Sequence, residues 1–134
     1  MLMPTRILVP TDFSEHSDRA LEQALDIAKE YGAKVFAVHV MLVIDEKLEH
    51  LLRKEARERL QKQFDKFPQA KEAETVASIR NGVVYEEILK EGKERGADLI
   101  VIASLGQSGI AKYLIGGVAR NVLKGSKCPV LLTK

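Results

Sequence analysis

The sequence predicts an α/β domain built on an open parallel sheet with helices on both faces, and three observations carry that prediction. Short continuous apolar runs, residues 7–9 and 99–102 above all, read as strands buried on both faces. Between such runs lie stretches whose apolar residues recur at steps of three and four, the period of a helix with one buried stripe. The two patterns alternate along the whole chain with no repeat, linker or low-complexity segment. At 134 residues this is one domain, residues 1–134, and a chain of that size buries roughly two thirds of its unfolded surface in a single core.

Each element follows in order. Ile7, Leu8 and Val9 make the first strand, ended by Pro10. Ser14 is a candidate N-cap for a helix carrying Leu21, Ala24, Leu25 and Ala28 on one face, and Gly32 stops it. Val35, Phe36, Ala37, Val38 and Val40 then form a second strand, at the spacing of a parallel βαβ unit with a right-handed crossover. From 46 to 67 the positions Leu48, Leu51, Leu52, Ala56, Leu60, Phe64 and Phe67 predict the longest helix, packed on the sheet along that stripe. Its polar face mixes both signs of charge, which argues against a membrane-surface helix.

Residues 75–79 read as a third strand, turned by Asn81 and Gly82 into a helix marked by Val84, Ile88 and Leu89 that stops near Gly96. Leu99, Ile100, Val101 and Ile102 are the most apolar run and predict a central strand. A glycine-rich stretch, 103–117, leads to a helix through Val118, Val122 and Leu123, ended by Gly125. Residues 129–133 close the chain as a short apolar strand. Cys128, just before Pro129, is expected to be extended, buried and unreactive.

Composition removes several function classes. Lys and Arg number 21 against 19 Asp and Glu, a net charge of +2 that is too small and too interspersed for a nucleic-acid groove. A single cysteine permits no internal disulfide and no CxxC pair. The first apolar run is too brief for a signal peptide or a membrane span, so a cytoplasmic protein is expected. His39 closes a strand and reads as a satisfied structural histidine, His16 and His50 lie on helices with no acidic or cysteine partner at metal spacing, and no metal held by side chains alone is predicted. Ser104, Ser108 and Ser126 lack the surroundings of a nucleophile.

In open α/β sheets ligands sit beyond the carboxyl ends of strands, where the winding reverses. Two loops therefore matter most. Pro10, Thr11 and Asp12 follow the first strand, where a carboxylate either accepts hydrogen bonds from a ribose or serves as an ordinary helix cap. Gly106, Gly109, Gly116 and Gly117 suit close backbone approach, and the last two are placed to offer bare amides to a phosphate at a helix N-terminus, a flexible loop being the alternative. The pattern is neither GxGxxG in a first βα turn nor GxxxxGK[ST], which disfavours dehydrogenase and P-loop chemistry.

Ile7-Leu8-Val9-Pro10-Thr11-Asp12-Phe13-Ser14, the Val38-His39-Val40 strand ending, Ala97-Asp98-Leu99-Ile100-Val101-Ile102 and Cys128-Pro129-Val130-Leu131-Leu132 together resemble the universal stress protein family. The resemblance covers essentially the whole chain. It implies a Rossmann-like five-stranded sheet of order 3-2-1-4-5, a homodimer, and one ATP-type site where the two loops meet. It further implies that Asp12 and Val40 hold adenosine and that the phosphates lie in a motif of Gly, two residues, Gly, nine residues, Gly, then Ser or Thr. Here that motif falls on Ala103, Gly106, Gly116 and Gly117.

Two of its positions are changed. If the place of Ala103 demands positive φ or touches ligand, its methyl costs on the order of 1 kcal/mol. Losing the hydroxyl at Gly117 forfeits a hydrogen bond to a charged group, worth about 1.5–3 kcal/mol, or roughly ten- to hundredfold in affinity. The expectation is a homodimeric stress-response module, paired through its C-terminal edge strand, that binds ATP, ADP or AMP weakly, with Mg²⁺ only as companion of the phosphates. No residue stands out as a general base, so no dedicated enzyme is expected. The alternative is a nucleotide-free module of the same fold that serves a regulatory partner.

Overall fold

The computed structural model describes residues 3–105 and 115–134. Its elements are β1 (Arg6–Pro10), α1 (Glu15–Tyr31), β2 (Lys34–Met41), α2 (Glu46–Asp65), β3 (Glu74–Asn81), α3 (Val84–Arg95), β4 (Leu99–Ala103), α4 (Gly117–Gly125) and β5 (Val130–Thr133). All neighbouring strands pair in parallel, in the order β3-β2-β1-β4-β5. The winding therefore reverses between β1 and β4, as the family resemblance implies.

The apolar runs are continuous because both faces of the sheet are covered. Ile7, Val9, Val35, Ala37 and Val101 pack with the stripes of α1 and α2. Leu8, Phe36, Val38, Ile100 and Ile102 point the other way, against Ile88 of α3 and Ala119 and Val122 of α4. A strand with a polar face would expose one of these layers to the wrong neighbour.

Helix boundaries follow local chemistry. The Ser14 hydroxyl accepts the Ser17 amide at 3.2 Å to cap α1, and Gly32 and Gly96 end α1 and α3 at φ of 69° and 64°. α2 departs from expectation at both ends. Leu48 and Leu51 are 47% and 60% exposed, and the buried positions are Ala56, Leu60, Gln63 and Phe64. The helix also stops at Asp65 instead of 67, because Pro68 forces Phe67 into an extended conformation, φ −117° and ψ 115°. A 3-10 turn, Pro68–Glu72, follows.

Two polar clusters fasten the frame. Asp98 accepts hydrogen bonds from the Thr5 amide, the Thr5 hydroxyl and the Arg6 amide, tying the start of β1 to the start of β4. Burial pushes its carboxyl up, yet these bonds outweigh burial and hold it below its ordinary 3.8. On α3 the buried Glu91 is paired with Arg80 at 2.8 Å and Arg95 at 2.9 Å. Cys128 is half-buried in a bend, not buried in an extended segment, because the Ser126 hydroxyl accepts its amide at 3.1 Å and the strand begins only at Val130. Among the described residues no helix is long and apolar enough to cross a membrane.

Candidate functional site

At the carboxyl edge of the sheet, where β1 and β4 part, lies a cleft of about 420 Å³. It is lined by Pro10, Thr11, Asp12, Val40, Ala103, Gly116 and Gly117. Every residue the sequence singles out for ligand binding is thus present except Gly106, which lies outside the described residues, as do Gly109 and Ser108. The strand order brings together loops separated by about ninety residues of chain.

The β1 side is built around Thr11, which is 6% exposed. Its amide donates to the Val38 carbonyl at 2.9 Å, continuing the β1–β2 ladder by one residue. Its hydroxyl donates to Gln63 Oε1 at 2.9 Å, lies 2.9 Å from the Ser17 hydroxyl and accepts the Phe13 amide at 3.1 Å. Its carbonyl accepts His39 Nδ1–H at 2.8 Å. Thr11 is therefore more than a turn residue: it is the fixed point behind Asp12.

Asp12 follows it, half-buried at the cleft. One carboxylate oxygen accepts the Ser14 amide at 3.0 Å, while the cap of α1 is supplied by Ser14 itself. The alternative role of Asp12 as the helix cap does not apply. Val40, one residue before the end of β2, lies on the opposite layer from Thr11's side-chain partners and gives the cleft an apolar wall.

On the β4 side, Ala103 closes its strand opposite Thr133. Among the described residues Phe13 alone, glycines aside, has positive φ, so Ala103 carries no backbone strain. Gly116 is needed for close approach, not for its φ of −78°. A Cβ there would stand 3.2 Å from the Ser104 carbonyl oxygen, to which the Gly116 amide donates. That bond corrects the expectation that Gly116 offers a bare amide. Gly117 opens α4, and none of the described residues comes within 4 Å of where its Cβ would be. With no side-chain cap on this helix, the amides of Gly117, Val118 and Ala119 are its intrahelically unpaired donors, set at the cleft with the positive end of the dipole.

The cleft also contains residues that the sequence reading used only as helix markers. Val84 and Ile88, one turn apart on α3, form part of its apolar wall with Val38 and Ile102. Their signal was an apolar i, i+4 pair at the start of a helix that follows a strand's carboxyl end. His39 is a bonded structural histidine. Since a carbonyl can only accept, Nδ1 carries the proton, and the ring stacks on Phe13 with centroids 4.4 Å apart. Burial holds its imidazole below the ordinary 6.5, opposed by the bond to Thr11, assisted by Arg59 and opposed again by Asp12. Among the described residues no group of three His, Cys, Asp or Glu is arranged to hold a metal ion.

The sequence profile of the universal stress protein family matches residues 3–134. Universal stress protein MJ0531 of Methanocaldococcus jannaschii is 34% identical over 139 residues, spanning 96% of this chain and 81% of that protein. A universal stress protein solved in complex with cAMP superposes with a TM-score of 0.76 at 27% identity, over 98% of both chains. One from Archaeoglobus fulgidus in complex with dAMP gives 0.74 at 26% identity, over 99% of this chain and 100% of that one.

Proposed function

The chain belongs to the universal stress protein family, and on that premise we propose that it is a homodimeric cytoplasmic stress-response module that binds an adenine nucleotide weakly in the β1–β4 cleft. The observation that carries this reading is the convergence of Asp12, Val40 and the α4 N-terminus on one cleft of about 420 Å³, a volume within the usual range for small-ligand sites. Relatives of the same fold were solved with cAMP and with dAMP. In the proposed pose Asp12 and Val40 take the adenosine part, and the amides of Gly117, Val118 and Ala119 face a phosphate. Pro10, Thr11, Ala103, Gly106 and Gly116 shape the backbone around it.

Affinity is low on this reading because Gly117 offers no hydroxyl and the Gly116 amide is already engaged by Ser104. Mg²⁺ enters only with the phosphates. No described cleft residue is placed as a strong base, so on this reading any hydrolysis of bound ATP is slow. The same two features favour a second reading, a nucleotide-free interaction module.

Calorimetric titration with AMP, ADP and Mg-ATP separates the two. Saturable binding that weakens at least tenfold in Asp12→Ala supports the nucleotide site. No heat at millimolar ligand supports the interaction module.

A further inference from the structure

The loop that presents Asp12 is held from outside the cleft. Phe13 has a φ of 66°, in the left-handed region where an L side chain other than Asn or Asp is strained. Such a conformation persists only where surrounding contacts over-determine it, and it clusters at functional sites. The contacts are visible here. The Phe13 ring stacks on His39 at 4.4 Å, and the guanidinium of Arg59 lies 4.3 Å from the ring centroid. The backbone on either side is pinned as well: the Thr11 hydroxyl, bonded to Gln63, accepts the Phe13 amide, and Asp12 accepts the Ser14 amide.

Arg59 and Gln63 lie one helical turn apart on α2. No α2 residue is among those that line the cleft. The helix thus grips the loop from outside the cleft.

We propose that Phe13 is a positioning residue for nucleotide binding: its ring, held by His39 and Arg59, stabilises the left-handed bend that sets Asp12 at the cleft, so that α2 governs affinity from outside the site. The proposal rests on the adenine-nucleotide reading. It differs from a packing role in one respect: what Phe13 contributes is spent entirely on Asp12.

That difference fixes the experiment. AMP and adenosine binding are titrated calorimetrically in the wild type and in Phe13→Ala, Phe13→Tyr, Arg59→Ala, Asp12→Ala and the Phe13→Ala/Asp12→Ala double variant, with thermal melts to establish folding. Alanine keeps the cost of the left-handed φ while removing the ring that offsets it. Phe13→Ala weakens both ligands about tenfold, Phe13→Tyr stays within about twofold, and Arg59→Ala, at an exposed position where truncation leaves no cavity, weakens both about two- to fivefold. In the Asp12→Ala background Phe13→Ala adds no further loss, the signature of two residues acting as one unit. Folded variants with wild-type affinity, or losses from Phe13 and Asp12 that add in full, overturn the proposal while leaving the nucleotide reading intact. A wild type that binds neither ligand overturns that reading and the proposal with it.

Discussion

Gly117 stands at the first position of α4 with no atom of the described residues within 4 Å of an added Cβ, so a serine there displaces none of them. Its hydroxyl would stand beside the amides to which the proposed pose assigns a phosphate. Gly117→Ser is expected to tighten ATP about ten- to hundredfold, the worth of one hydrogen bond to a charged group, and to leave adenosine nearly unchanged. Parallel titrations with both ligands check this, and equal effects on the two would place residue 117 away from the phosphate. His39 yields a pH prediction. Because burial depresses its pKa in the folded protein below the unfolded 6.5, the unfolded chain binds the proton more readily. The stability contributed by the neutral ring is therefore full above about pH 6.5 and is lost as pH falls through the folded value. Melting temperature should drop on acidification through this window in the wild type and drop less in His39→Gln. An identical slope in both would assign the acid sensitivity to other groups.

The same scale shows where the sequence could not speak. Asp12 and Val40 were legible because family-like motifs mark them and because a strand's carboxyl end is where ligands sit in this topology. The left-handed φ of Phe13 was not, since nothing in an aromatic side chain signals positive φ and only the later arrival of Arg59, His39 and Gln63 makes it tolerable. The engaged amide of Gly116 was hidden for a similar reason: its partner, the Ser104 carbonyl, belongs to the other end of the loop.

At the scale of elements, strands read more faithfully than α2. A strand buried on both faces must be apolar at every position, so residues 99–102 announced β4 almost to its ends. A helical stripe states only a period, not which of its turns a neighbour covers, and at the start of α2 Leu48 and Leu51 are exposed. β5 has a different incompleteness. It pairs with β4 on one side and is the last strand of the sheet, with Leu131 and Leu132 each 37% exposed. An apolar edge strand of this kind is a template for pairing with its twin. On the proposed reading, light scattering gives a mass near twice 14.9 kDa for the wild type and near 14.9 kDa for Leu132→Asp, which sets two like charges across a two-fold axis. A monomeric wild type, or a variant that stays dimeric, would remove β5 from the interface.

The whole molecule joins these parts through one topological fact. Reversal of winding between β1 and β4 opens a gap in the helical cover, and both motif-bearing loops end there. Architecture and site are thus one consequence of strand order, which is why a chain with two altered phosphate positions keeps the cleft. Mapping of backbone amide shifts by NMR during titration with AMP tests that claim most directly. The account predicts saturable shifts centred on residues 11–14, Val40, Ala103, Gly106 and residues 116–119, with the opposite end of the sheet, near Gly96 and Gly125, unmoved. Shifts centred elsewhere, or none at millimolar AMP, would contradict it.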